Sequence, residues 1–81
     1  MRGQRMTSLS IPVDRYAGAE FQRFRSRTPI FTLLSGRVQV TLTLAERLRA
    51  EDVQFARQLA KQAHAYAVEV ERMWRNGRSS A

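Results

Sequence analysis

The longest uninterrupted pattern in this sequence runs from Leu44 to Asn76 and contains neither proline nor glycine. Its apolar residues recur three and four positions apart, which predicts one long amphipathic helix. Thirty-three helical residues span about 50 Å at ~1.5 Å each, whereas a compact domain of 81 residues has a radius of gyration near ~12 Å. The rest of this chain is therefore too small to cover such a helix along its whole length.

The apolar face of the predicted helix is its candidate contact surface, and we expect a second copy of the chain to cover it. The predicted oligomer interface consists of Phe55, Leu59, Ala63, Tyr66, Val70, Met73 and Trp74. Asp52 interrupts this face between Leu48 and Phe55, and burying an unpaired carboxylate is costly. Three outcomes stay open: the helix breaks at Asp52, Asp52 meets an arginine, or Asp52 reaches solvent.

Both ends of the helix carry terminal signals. Thr43 and Glu46 match the capping-box spacing Thr-x-x-Glu at the start. Gly77 stands where a left-handed C-terminal cap is expected. The predicted helix covers about 44–76, and residues 1–7 and 78–81 are expected to be disordered tails of a single domain.

A β-hairpin precedes the helix. Val38, Val40 and Leu42 alternate with Arg37, Gln39 and Thr41, which is typical of a half-buried strand. Ser35 and Gly36 are a plausible two-residue turn between strands at about 29–34 and 37–42.

The region before the hairpin supports two interpretations. Ser8–Val13 suits a short edge strand because Pro12 cannot donate to a central ladder. A helix from Asp14 would place Ala17, Phe21 and Phe24 on one side, whereas a strand would align Arg23, Arg25 and Arg27 on one face. Overall the sequence predicts an α+β fold with a short N-terminal strand, helix or both, the hairpin and the long helix.

The chain is strongly basic, with a net charge of +7 and 14 basic residues, of which Lys61 is the one lysine. Guanidinium groups pair phosphate bidentately, which makes nucleic acid the first partner to consider. A GC-rich genome also favours arginine codons regardless of function. The candidate nucleic-acid-binding residues are Arg23, Arg25, Arg27, Arg37, Gln39, Arg47 and Arg49. As an alternative, Arg37, Gln39 and Thr41 form an ordinary solvated strand face.

The segment from Arg37 to Gly77, a polar-faced strand followed by helix, is similar to the ribbon-helix-helix family of dimeric DNA-binding regulators. The resemblance implies dimerisation and groove contact by the strand. Proteins of that family have a turn between two helices. In this chain the corresponding segment, Ala56–Ala67, consists of residues that favour an uninterrupted helix.

Signals for catalysis are weak. The chain has no cysteine and one histidine, His64, which lies on the polar side of the predicted helix. It contains neither a glycine-rich phosphate loop nor a metal-ligand spacing. We therefore expect no enzymatic activity, no cofactor, no metal and no membrane partner, and a cytoplasmic location.

Two functions remain. The first is a small dimeric nucleic-acid-binding protein, a regulator or accessory factor, that contacts phosphates and grooves with its arginines. The alternative is a protein-interaction module, such as an adaptor, assembly subunit or inhibitor, that docks through the apolar helix face.

Overall fold

The computed structural model describes residues 6–80, and side chains for residues 6–77. The chain divides into two compact units: a sheet unit that extends to Glu46 and a helical unit that begins at Arg47. The predicted α+β composition is confirmed, because three antiparallel strands precede one long helix. Residues 1–5 and 81, within the predicted tails, lie outside the described residues, and the single domain stays a prediction.

The sheet unit is a three-stranded antiparallel meander in the order β1-β2-β3. Strand β1 covers Gly18–Gln22, β2 covers Ile30–Ser35 and β3 covers Val38–Leu42. The predicted hairpin is therefore confirmed, with three of its four strand boundaries moved by one residue, but the predicted turn at Ser35 and Gly36 is wrong by one position. Ser35 pairs with Val38, so the two turn residues are Gly36 and Arg37. Gly36 adopts φ 58°, as the first central residue of the tight hairpin turns requires.

The region before the hairpin contains a strand, but not in either predicted place. The predicted helix from Asp14 is wrong, because Phe21 pairs with Phe31 inside β1. Ser8–Val13 is not a strand, and Arg23, Arg25 and Arg27 follow β1 instead of lying on a strand face. The four-and-three spacing of Ala17, Phe21 and Phe24 suggested a helix, but the segment pairs with β2 over Gly18–Gln22, and such a tertiary contact overrides local spacing.

The two faces of the sheet differ in polarity. Cross-strand partners point to the same face, and neighbouring residues point to opposite faces. The register therefore places Leu33 with Ala19 and Val40 on one face, and Leu34 with Gly18 and Gln39 on the other. We call the first the apolar sheet face; apart from Ser35, it consists of Ala19, Phe21, Phe31, Leu33, Val38, Val40 and Leu42.

Ser35 ties the N-terminal segment to one end of this face. Its hydroxyl donates to the carbonyl of Pro12 and accepts the backbone N–H of Asp14 at 3.1 Å. Ser35 is buried, with 7% of its surface exposed. The single polar side chain on the apolar sheet face is thus satisfied within the chain.

Helix α1 covers Ala50–Ser80 and begins later than predicted. The capping box of Thr43 and Glu46 is wrong, since neither residue lies in or next to the helix. Arg49 occupies the cap position: its carbonyl accepts the N–H of Asp52 at 3.0 Å, and Asp52 Oδ2 accepts the Arg49 N–H at 2.9 Å.

The uncertainty about Asp52 is resolved by this start. Of the three outcomes left open, the contact with an arginine is confirmed, and the helix runs on without a break. The predicted cap at Gly77 is wrong, because the helix continues past it. One uninterrupted helix after three strands also departs from the ribbon-helix-helix arrangement.

Within the described part of the chain, the structure buries no apolar side chain. The buried residues are polar: Thr32, Ser35 and Asp52. Phe21 is 61% exposed in the sheet unit and Tyr66 is 67% exposed in the helix. Neither unit, as described, contains a hydrophobic core of its own. Among residues 6–80, no helix combines the length and apolar character that crossing a membrane requires.

Candidate nucleic-acid interface and apolar surfaces

The loop that joins β1 to β2, residues 23–29, carries the densest group of basic residues. Arg23, Arg25 and Arg27 are all exposed, and the loop sequence RFRSRTP contains no acidic residue. The Arg27 guanidinium lies 4.6 Å from the centre of the Phe24 ring, a cation–π contact that orients it. In the described part of the chain, none of these three arginines forms an ion pair.

The segment after β3 is held against this loop. Thr28 Oγ1 donates to the carbonyl of Leu44 at 3.3 Å. A shallow cleft is lined here by Ser26, Arg27, Thr28, Leu44 and Glu46. The loop of residues 23–29, which we call the arginine loop, is therefore anchored at its C-terminal end, and the cleft beside it is also lined by the acidic residue Glu46.

Arg37 does not join this group. Because β2 is antiparallel to both neighbours, the arginine loop and the Gly36–Arg37 turn lie at opposite ends of the sheet. Six strand residues separate them by about 17–20 Å. Gln39 lies between the two ends on the polar face, where its amide donates to Thr41 Oγ1 at 3.3 Å.

The predicted basic residues of the helical unit differ from one another. Arg47 is exposed and lies before the helix. Arg49 is paired with Asp52, with 2.8 Å between Nη2 and Oδ1. The hydrogen bond from the Arg49 side chain, followed by that from its backbone, lowers the pKa of the Asp52 carboxyl. The same pairing raises the pKa of the Arg49 guanidinium. Arg49 is thus already neutralised by a carboxylate.

A second ion pair lies on the exposed side of the helix. Arg72 and Glu69 are joined by two side-chain hydrogen bonds, one of them 3.1 Å long between Nε and Oε1. This contact lowers the pKa of Glu69 and raises that of Arg72. Neither of these two ion pairs involves the loop between β1 and β2.

The predicted oligomer interface follows one side of helix α1. Spacings of three and four from Phe55 to Met73 place these residues on one strip, and Trp74 lies beside Met73; at ~1.5 Å per residue the strip is about 30 Å long. Leu59 is half-buried, while Phe55 and Met73 are exposed. The described residues thus include two apolar surfaces, this helix strip in the helical unit and the apolar sheet face in the sheet unit.

Sequence reasoning missed the apolar sheet face as a candidate surface. The alternation of Val38, Val40 and Leu42 identified one strand of it. Phe21 was assigned to a helix, so its place beside Phe31 was not foreseen. The alternating pattern Ala19-Glu20-Phe21-Gln22 was the available signal, since it has the period of a strand.

In the described residues, no cluster of three or more histidine or acidic side chains has the arrangement of a metal site. No protein-family profile matches this chain, and comparisons with curated proteins and with solved structures found no significant similarity.

Proposed function

We propose that this chain is a small, basic, self-associating nucleic-acid-binding protein that contacts phosphates through the loop between β1 and β2. The observation that carries the proposal is the exposure of Arg23, Arg25 and Arg27 on one loop, where no carboxylate of the described residues pairs with them. Guanidinium groups that are not neutralised within their own chain are available to phosphate oxygens.

The anchoring of the loop supports the same function. Thr28 fixes one end of the loop, and the ring of Phe24 holds the Arg27 guanidinium. Holding a charged side chain in place reduces the conformational entropy lost on binding. Arg37 is a second phosphate contact at the other end of the sheet, at a distance that spans several phosphates of one strand.

Self-association is the other half of the proposal. The exposed strip on helix α1 is the surface on which a second copy packs, and two copies present two arginine loops. Joining two weak phosphate sites in one assembly raises the apparent affinity by effective concentration.

The test is fluorescence anisotropy of the full chain with labelled duplex and single-stranded oligonucleotides at increasing salt. We expect binding to weaken steeply between about 50 and 200 mM salt, because each neutralised phosphate releases condensed counterions. For duplex DNA, Arg23→Gln with Arg25→Gln is expected to reduce the slope of log affinity against log salt by about 2.

The matched control is Arg57→Gln with Lys61→Gln, which removes the same charge from two exposed helical positions. It is expected to leave the slope within the error of the wild type. An equal decrease of the slope in both double variants would indicate general electrostatic attraction and not a binding site at the loop. Absence of binding to every oligonucleotide at about 50 mM salt would refute it.

A protein-interaction module is the second candidate function. It is favoured by the absence of a buried apolar side chain among the described residues, because the exposed strips then require another protein chain. A pull-down after nuclease treatment discriminates the two: stoichiometric recovery of one other protein supports the module, and recovery of the chain alone favours self-association.

A further inference from the structure

We infer that the apolar sheet face is a self-association surface on which the same face of a second copy packs, so that two three-stranded sheets form a sandwich. This contact is distinct from the helix strip and from the arginine loop. Nothing in its chemistry depends on nucleic acid, so it can hold or fail independently of the proposed function.

The composition of the face determines what can cover it. Of its strand positions, Ser35 is the one that is polar, and that hydroxyl is already bonded to Pro12 and Asp14. The face carries no charged strand residue, so it offers nothing to a partner that recognises by charge. An equally uncharged apolar surface is its complement, and the face itself is such a surface.

Two copies of a chain with net charge +7 repel each other. Face-to-face packing limits that repulsion, since the arginine loop and the Arg37 turn lie at the two ends of the sheet and not on the apolar face. Sheets packed in this way lie about 10 Å apart with their inner side chains interdigitated. Leu33, between Ala19 and Val40, occupies the middle of the contact.

The area of the face indicates that this contact does not act alone. Three strands at ~4.8 Å spacing and about 17 Å length cover roughly 250 Å² in projection. A stable dimer buries about 800 Å² per partner. Additional apolar surface from the same two chains is therefore required, and the sheet unit itself contains exposed apolar side chains outside this face, among them Leu9, Val13 and Tyr16.

A second copy is also the occupant that the burial pattern favours. Because no apolar side chain is buried among the described residues, the sheet unit requires cover whenever the chain is present. Wherever this chain is synthesised, further copies of the same chain are present to cover the face. A two-fold contact of this kind is isologous, with each residue near the axis facing its own counterpart.

Cysteine cross-linking tests the contact, and no native cysteine competes for the cross-linker because the chain contains none. Leu33→Cys and Leu34→Cys are a matched pair: they are neighbours with similar exposure, 44% and 37%, on opposite faces of the sheet. With a short bis-maleimide, we expect Leu33→Cys to give covalent dimers at least about tenfold more efficiently than Leu34→Cys. Such a preference follows from the alternation of side chains across a sheet.

A second pair measures association directly. Leu33→Asp places a charge in the middle of the contact and is expected to weaken self-association by about 100-fold or more, whereas Leu34→Asp leaves it unchanged. If Leu33→Asp does not fold, the cysteine pair decides. Equal cross-linking at both positions, or none at Leu33, would overturn the inference; the latter would indicate that a helix or another protein covers the face.

Discussion

The Asp52 carboxylate joins the backbone and the side chain of Arg49 at the start of helix α1. Oδ2 accepts the Arg49 N–H at 2.9 Å, and Oδ1 lies 2.8 Å from Nη2. Asp52 is 6% exposed, while the Arg49 side chain is 65% exposed. A carboxylate in the first turn also interacts favourably with the positive end of the helix dipole. The Asp52 carboxylate therefore stabilises the first turn of the helix.

Removing the Asp52 charge is expected to fray the first helical turn. Asp52→Asn should lower the helical circular-dichroism signal by about one turn, or ~4 residues, because the cap N–H and the arginine lose their ionised partner. Glu69→Gln is the control, since it removes an exposed ion pair in mid-helix. An unchanged signal in Asp52→Asn would contradict the assigned start.

The same contact makes the first turn sensitive to acid. Because the folded-state pKa of Asp52 is lowered from 3.8, its stabilisation is fully present above the unfolded value and is lost as pH falls through the lower folded value. We expect helicity of the wild type to fall below about pH 4 more than that of Asp52→Asn. Parallel acid titrations of the two proteins would argue against this role for Asp52.

The hairpin turn predicts that alanine is costly at one glycine and nearly neutral at another. Gly36→Ala should cost about 1–2 kcal/mol, because φ 58° is unfavourable for an L-residue. An added Cβ there meets Asp14 Oδ2 at an ordinary 3.6 Å, so the cost comes from the backbone. Gly18→Ala, with no neighbour within 4 Å, should change stability by less than about 0.5 kcal/mol. Urea unfolding at fixed protein concentration compares them.

Gly77 provides a test of how far the helix extends. Within a continuing helix, Gly77→Ala should stabilise the protein by about 0.5–1 kcal/mol, since glycine is a poor helix former and the site is open. A left-handed cap at Gly77 would reverse the sign, because alanine resists that conformation. Thermal unfolding of the two proteins distinguishes the arrangements.

The anchoring of the N-terminal segment depends on Ser35. Ser35→Ala removes the partner of the Asp14 N–H and of the Pro12 carbonyl, and should destabilise the sheet unit by about 1–3 kcal/mol. Ser10→Ala, at an exposed position, is the control and should be nearly neutral. Comparable losses in the two variants would show that the hydroxyl has no special role.

The parts of the fold that the sequence could predict were those with a local cause. The alternation of Val38, Val40 and Leu42 identified β3, and the absence of glycine and proline identified the helix. The helix start was missed because Thr43 with Glu46 has the spacing of a capping box, while Arg49 has no capping side chain and contributes its backbone instead. Strand β1 depends on pairing with residues 8 to 16 positions away, which local spacing does not contain.

The residues of the candidate site also differ in whether the local sequence could predict their positions. Arg23, Arg25 and Arg27 were recognisable as a group because they are close in sequence, and the structure keeps them on one loop. Arg37 was assigned to a strand face because its position depends on a one-residue difference in the turn. The apolar sheet face could not be recognised without the register of all three strands.

Multi-wavelength sedimentation of the full chain with a labelled duplex tests self-association and nucleic-acid binding together. We predict a protein mass of at least twice 9.3 kDa, with the label sedimenting with protein at about 50 mM salt and released at high salt. A folded monomer of 9.3 kDa with the label sedimenting separately would contradict both parts of the account.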